Sequence, residues 1–573
     1  MFNSKQKNLF GDTKPTSAST MTVPEQPFLR AGIKKSVTTT ALGNGATKLT
    51  STGSEFVNQF GKITNYKKPR SYQEVNTDMT VLWSQNPLLT MCLLFYIRMI
   101  TRIVQFFDGS KTENSQRGQG LKHEGIFRMM WVGVNYPDTF VKNIPLFINI
   151  GSWKDIITML SYDLQYNGWK DRKLDWTFLG QVILTGLENP NTSELVKKYL
   201  PQIKSNSQCK TLESQADNMI AKWICSLLYG GKTQEDSYKN YRLYRKLKSS
   251  GTAHQWQQLI SKKLFNQIDF NTIHGRALSQ LVSGKFLKNQ GLESKYQEWI
   301  ESKPLAKFTG YVYELFTPLG TGTRQMVGSL QKYQVDTINK QFLNLVEVAR
   351  NGMKDGDNGF IGVLDTSGSM TSLVSGTKVS AYSVGKGLTL FMSYLLKGRF
   401  NGCYLEFSRD TIMKQWKGNT PVEQLCAENS SIIADTNFIS VADHFGKILQ
   451  SGVPESDFPK GIVCFSDGCF NSTSTGKSNF NTILNRLSAY GFSKEYINNF
   501  QVILWDIPNN HYGGSQTAFE SFADTPNLFH ISGLDGSALA FLTGVNGQKA
   551  LPTNSDELFL AAMDQECLRM IEL

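Results

Sequence analysis

The sequence predicts a multidomain chain, an α-helical solenoid-type portion followed by an α/β domain built on a doubly wound sheet. Three observations carry this prediction. From about Ser51 to Ala349 apolar residues recur at helical spacing, with little strand-like alternation. From Phe360 onward, short apolar runs ending in polar turns alternate with helical segments, the pattern of a parallel sheet covered by helices. The charge divides at the same place. Residues 1–350 hold 45 Lys and Arg against 26 Asp and Glu, a net +19, whereas residues 351–573 hold 15 against 22, a net −7. A chain of 573 residues with 40% hydrophobic content suits two or three domains with sizeable cores.

Taken in order, residues 1–50 are rich in Ser, Thr, Lys, Asn and Gly and read as a flexible polar arm. Residues 51–350 form the basic helical domain. Its periodic segments are Thr77 to Phe107, His123 to Asn135, Asp138 to Ile150, Trp153 to Tyr166, Ser214 to Leu228, His254 to Phe265 and Val335 to Ala349. Several resemble paired helices with short turns, a HEAT-like arrangement, although no repeat period is evident. Pro87 to Phe107 is apolar enough to suggest a membrane span, but Arg98 and Arg102 lie within it. Each charge near a bilayer centre costs about 2.5–3.5 kcal/mol, so a buried helix is predicted and no membrane partner.

The Gly- and Asp-rich stretch Asn351 to Gly359 is the predicted linker. The α/β, Rossmann-like domain then spans 356–550. Its predicted strands are Phe360–Leu364, Gly402–Ser408, Thr411–Trp416, Gly461–Asp467, Phe500–Asp506 and Leu528–Ser532. Val379 to Leu396 and Phe438 to Leu449 read as helices between them. Residues 551–573 are predicted as a C-terminal helix with an apolar stripe.

The most informative motif follows the first of these strands: Asp365-Thr366-Ser367-Gly368-Ser369-Met370. A carboxylate and two hydroxyls at i, i+2 and i+4 on a tight turn can converge on one hard cation, and magnesium takes oxygen ligands in octahedral geometry. Manganese and calcium accept the same donors. Asp and Ser are also ordinary turn residues, so the motif gains its meaning from context. Thr436 stands before a predicted helix, and Asp467 ends another buried strand. The set Asp365, Ser367, Ser369, Thr436 and Asp467 resembles the metal-ion-dependent adhesion site of von Willebrand factor A domains. The resemblance implies direct binding by Asp365, Ser367 and Ser369, direct binding by Thr436 in some states, and action of Asp467 through water. It leaves one coordination position open for a carboxylate from a protein partner. The chain departs from that family in carrying Ile433-Ala434-Asp435 where glycines often precede the Thr; Asp435 reads as a neighbour of the helix N-cap.

The positive excess of residues 1–350 points to an anionic partner, RNA first. The densest basic run is Tyr238 to Lys248, where Lys239, Arg242, Arg245, Lys246 and Lys248 are interleaved with Tyr238, Tyr241 and Tyr244. Such a face can grip phosphates and stack a base. A solvated helix face with Leu243, Tyr244 and Leu247 turned inward explains the run equally well. Earlier in the helical portion stand Ser51-Thr-Gly-Ser, Arg98, Gln116-Arg-Gly-Gln-Gly120, Phe127-Arg-Met-Met-Trp131, Tyr136-Pro137 and Asn149 to Asp155. With the downstream metal motif, this layout resembles Ro ribonucleoproteins, which join a TROVE domain to a von Willebrand factor A domain. It resembles more closely an uncharacterised plant and large-virus family of the same layout. The resemblance implies a ring of helical repeats that binds RNA ends in a basic hole and structured RNA outside.

No P-loop, Ser–His–Asp arrangement or paired catalytic carboxylates emerges, so a non-enzymatic role is expected. The expectation is a Ro-like RNA binder with a metal-dependent interaction site. The alternative is a viral or cellular structural protein that uses the metal to dock an acidic residue of its partner. The eight cysteines show no CxxC pair and several lie in apolar segments, which suggests a reducing compartment. The polar start, Met1-Phe-Asn-Ser-Lys, lacks the apolar stretch of a secretory signal. The expected location is therefore cytoplasmic, or virion-associated for a viral protein, and not secreted.

Overall fold

The computed structural model describes residues 38–41, 47–51, 54–64, 70–100, 103–113, 116, 118–230, 233–251, 255–273, 275–308, 310–328, 330–353, 358–374, 377–407, 410–428, 439–467, 476–507, 519–522, 525–532, 559–560 and 562–573. The chain is largely helical in its N-terminal part and carries a mixed α/β sheet in its C-terminal part. Its contacts divide it into two units. One comprises residues 1–33, 69–261 and 560–573, and the other residues 34–68 and 262–559. That division does not coincide with the linker at 351–359. The predicted helix Val335–Ala349 runs from Lys332 to Gly352 and packs within the sheet-bearing unit.

In the first unit the described helices include Tyr72–Gln85, Pro87–Arg98, Lys122–Asn135, Pro137–Ile150, Trp153–Asn167, Leu212–Tyr229 and Gln234–Ser249. The apolar stretch after Pro87 ends its helix at Arg98, well short of the expected Phe107. The glycine-bearing loop explains the stop. Backbone N–H groups of Gln119, Gly120 and Leu121 donate to the carbonyls of Tyr96, Met99 and Ile97. A Cβ on Gly118 would lie 2.3 Å from the Tyr96 carbonyl oxygen, so only glycine permits this approach. Arg98 is buried and pairs with the fully buried Asp155 at 2.6 Å, and Asp155 also accepts from the Ser152 backbone N–H at 3.0 Å. Arg102 lies outside the described residues. Among the described residues, no helix is long and apolar enough to cross a membrane.

Of the predicted C-terminal helix, residues 559–560 and 562–563 are helical, and a short 3₁₀ turn at Glu566–Met570 follows in place of its continuation. Side chains of the first unit take up its backbone groups: Gln116 Oε1 accepts from Cys567 N, and Asn143 Oδ1 from Glu572 N. Cys567 and Leu568 are buried there. Residues 551–558 lie outside the described residues.

In the second unit, β1 (Thr38–Ala41) and β2 (Thr47–Ser51) pair antiparallel, with Thr39 opposite Leu49. The polar arm expected over 1–50 is thus corrected at its end, where a β-branched Thr run favours extended backbone; residues 1–37 lie outside the described residues. The large sheet contains β3 (Phe360–Asp365), β4 (Cys403–Phe407), β5 (Thr411–Gln415), β6 (Gly461–Ser466), β7 (Gln501–Asp506), β8 (Phe519–Phe522) and β9 (Thr525–Ser532). Their spatial order is β5-β4-β3-β6-β7-β9-β8. The strands from β4 to β9 pair parallel, and β5 and β8 are antiparallel edges.

Every residue of β3, β4 and β6 is buried, as in strands covered on both faces; in β4 this includes Glu406, which pairs with Lys414 at 2.8 Å. Ile361, Val363, Leu405 and Ile462 pack with Val441 and Phe445 of the helix Ser440–Gln450 on one face. On the other face the helix Ala381–Leu395 lies so close that a Cβ on Gly362 would stand 3.1 Å from Thr389. Phe342 of Lys332–Gly352 packs edge-on against Phe391 and Tyr394 of that helix.

Candidate metal site

The chain order places β4 and β5 on one side of β3, and β6, β7 and β9 on the other. The carboxyl ends of β3 and β6 therefore flank the point where the winding reverses, the usual ligand crevice of open α/β sheets. Leu364 pairs with Phe465, so the next residues, Asp365 and Ser466, meet. Ser466 Oγ donates to Asp365 Oδ2 at 2.7 Å, and the Ser367 N–H donates to Oδ1 at 2.8 Å. Each carboxylate oxygen retains a further lone pair.

Local bonds fix the loop after β3. The Thr366 N–H and hydroxyl both donate to the Phe407 carbonyl at 3.2 Å, tying the loop to the end of β4. Residues Gly368–Thr371 make a 3₁₀ turn that buries Met370 completely. This turn brings the Ser367 and Ser369 hydroxyls to 3.1 Å from each other. Asp365 is fully buried, and Ser367 and Asp467 are nearly so. Burial first, and then the charge of Asp467, push Asp365 up to about 6 against the hydrogen bonds from Ser466 and Ser367.

The donor set fits a small hard cation. Two ligands on adjacent octahedral positions at 2.0–2.1 Å from magnesium stand about 3 Å apart, which is the separation of the two hydroxyls. Two buried carboxyl groups of like charge at the same strand ends would be relieved by a cation there. Asp365, Ser367, Ser369 and Asp467 are the residues that would hold it. Thr436 and Asp435 lie outside the described residues. Sequence reasoning gave no role to Ser466, although its place before Asp467 at a strand end was the available signal. Among the described residues no group of three or more His, Cys, Asp and Glu side chains converges. The Asp365 site is built half from hydroxyls, so such a grouping is not required of it.

The five cations of the basic run separate by environment on the helix Gln234–Ser249. Lys239, Arg242 and Lys246 are exposed at i, i+3 and i+7. Arg245 is exposed but reaches the Ile203 carbonyl at 3.4 Å. Lys248 is half-buried and donates to the carbonyls of Leu200 and Lys198; burial lowers its pKa. Tyr244 is fully buried and donates to the Pro201 carbonyl, whereas Tyr238 is exposed. Residues of other segments quoted from the helical portion serve packing. Arg128 is fully buried against Glu124 at 2.9 Å, and Tyr136 stacks on Trp83 at 4.3 Å. Arg70 pairs with Asp78 and Glu124.

Residues 359–557 match the family described as a domain of unknown function (DUF7788). No curated protein matches the chain.

Proposed function

We propose that residues 359–557 act as a von Willebrand factor A-type interaction module. Asp365, Ser367, Ser369 and Asp467 would hold magnesium, or manganese or calcium, with Thr436 as a further ligand. A cation held there supplies a Lewis-acidic position for a carboxylate of a protein partner. The observation that carries this reading is the pair of hydroxyls 3.1 Å apart beside two buried carboxyl groups at the winding reversal. The strand order, with an antiparallel edge strand after β4, supports the same assignment. Calorimetric titration of magnesium into the full chain tests it. One site is expected, and Asp365→Ala should lose at least a hundredfold in affinity while the far-ultraviolet spectrum is unchanged. Equal affinity in the variant would remove the assignment.

A second reading concerns the helical portion, which we read as a HEAT-like, Ro-type RNA-binding domain. The exposed row Lys239, Arg242 and Lys246, with Tyr238 nearby on the same helix, supports it. Neutralising phosphates releases counterions, so RNA affinity must fall steeply with salt. Reversing the three charges should reduce the salt slope by about 2–3. An unchanged slope leaves the row as a solvated helix face.

A further inference from the structure

The strand β5 is an edge of the large sheet and pairs with β4 along one side. Bonded and non-bonded residue pairs alternate along an antiparallel ladder, and here their phase is fixed at both ends. The Trp416 N–H donates to the Gly402 carbonyl at 3.0 Å, whereas the Phe407 carbonyl is turned to the β3 side, where it accepts from the Thr366 N–H at 3.2 Å. Ile412 and Lys414 therefore direct their N–H and C=O groups at Glu406 and Tyr404. Thr411, Met413 and Gln415 stand opposite Phe407, Leu405 and Cys403 in the non-bonded pairs, so their main-chain groups point away from β4. Among the described residues none of these groups has a hydrogen-bond partner.

A row of open N–H and C=O groups at strand spacing fits one kind of occupant, another extended chain. Proteins blunt such edges with prolines, bulges or unpaired charges. The opposite edge, β8, has a register shift between Ser521 and Phe522; β5 has no shift and no proline. Its one charged side chain, Lys414, is held by Glu406 and Glu428, each at 2.8 Å, and presents no free charge to an incoming strand. Thr411 is bonded to Ser440 at 2.6 Å and Met413 packs on the core, while Ile412 is 56% exposed.

The same strand of a second copy is self-complementary to this edge. Three antiparallel registers bond two or more of the open residues in each copy. A two-fold axis at Lys414 sets the two lysines against each other, and one at Ile412 leaves Gln415 unpaired. An axis at Met413 pairs Met413 with Met413 and Thr411 with Gln415, so the N–H and C=O of all three residues are bonded. It also sets each Ile412 opposite the second copy's Lys414. Ile412 already faces Glu406 on its other side, so the seam lies between opposite charges, with no like charges opposed.

We propose that β5 is a self-association edge: two copies of this chain pair through antiparallel β5 strands centred on Met413, joining their sheets. The inference is independent of the candidate metal site. A five-residue seam buries less than the roughly 1,200 Å² of a standard interface, so a reversible dimer with Kd on the order of 100 µM is expected. Sedimentation velocity of the full chain from about 5 to 500 µM, a range that brackets this constant, should follow one monomer–dimer equilibrium. Gln415→Pro, at an exposed position, removes an open N–H from each copy and takes no bond from β4. It should weaken the dimer at least about tenfold, the worth of the two lost bonds, with the melting temperature kept. Ile412→Lys sets like charges opposite each other on both sides of the axis and should weaken it similarly. Hydrogen exchange resolved to single residues by electron-transfer fragmentation should show the Met413 and Gln415 amides gaining protection as concentration rises. The Ile412 and Lys414 amides, bonded to β4, should be protected at every concentration. A monomer throughout the range, a dimer that both variants retain, or protection gained elsewhere than on β5 would overturn the proposal; the first outcome leaves the edge to an extended segment of another protein.

Discussion

At the scale of single residues, burial acts with opposite signs on two ionisable groups of the α/β unit. It pushes the Asp365 carboxyl up to about 6 and the Lys386 ammonium down to about 8, in each case by disfavouring the charged form. Lys386 has no exposed surface and donates to the Leu425 and Glu428 carbonyls at 2.8 and 2.9 Å. The charges of Glu428, Cys426 and Glu406 raise its pKa and that of Lys414 lowers it, all less than burial does. Below pH 8 the folded and unfolded chains both carry the proton, and the folded state bears the full cost of the buried charge. Between pH 8 and about 10.4, the ordinary lysine value, the folded group loses its proton while the unfolded one keeps it. The unfolded state then binds more protons, so this group's contribution to stability rises with pH. The stability of the parent relative to Lys386→Met should therefore increase by on the order of 2 kcal/mol between pH 7.5 and 10, read by urea denaturation. A difference independent of pH would mean that Lys386 stays charged in the fold across that range, with its pKa not lowered by burial.

At the scale of elements, the strand ends and the helix stops decide what the sequence could disclose. The strands β3 and β6 were legible because strands buried on both faces must be continuously apolar, and each ends where polar residues begin. The short edge strand Phe519–Phe522 sets Glu520 and Ser521 together between two Phe, without the period-two alternation of a strand, and carries no comparable signal. The Asp365, Ser367 and Ser369 turn stood out as a candidate cation site because its donors are close in sequence; the Ser466 bond to Asp365, from 101 residues away, depends on strand register. The stop after Arg98 was hidden for a similar reason, since loop N–H groups some twenty residues away consume the carbonyls that a longer helix would need. Arg98 itself was read as an argument against a membrane span, but its partner Asp155 became identifiable only with the packing of Pro87–Arg98 near Trp153–Asn167. Removing one member of a buried pair leaves an uncompensated charge and costs about 3–5 kcal/mol. Arg98→Met should lose that much stability in urea denaturation, whereas Lys239→Met on an exposed helix face should change it by less than about 0.5 kcal/mol. A loss below 1 kcal/mol for Arg98→Met would show that water or another cation reaches Asp155.

At the scale of the whole molecule, the charge change near residue 350 and the division of contacts mark different boundaries. Charge follows the composition of the α/β segment, whereas contacts follow the packing of Lys332–Gly352 and Val312–Phe316 on Ala381–Leu395. The unit that carries the candidate metal site therefore includes a helical layer that periodicity alone assigned to the basic domain. This has a consequence for linkage. A cation that binds only the folded second unit stabilises that unit by RT ln(1 + [L]/Kd), about 2.7 kcal/mol at a hundredfold excess over Kd. Each unit has its own buried core, so calorimetric unfolding should resolve two components. Magnesium should raise the midpoint of one component by several degrees and leave the other within a degree, and Asp365→Ala should abolish the shift. Hydrogen exchange in the same titration should show added protection in Phe360–Asp365, Gly461–Ser466 and the helices from Gly275 to Gly352, but none in Pro87–Arg98 or Trp153–Asn167. Equal shifts of both components would mean that the units unfold together. Protection confined to the sheet would mean that the helices from Gly275 to Gly352 open independently of it, against the division that the contacts describe.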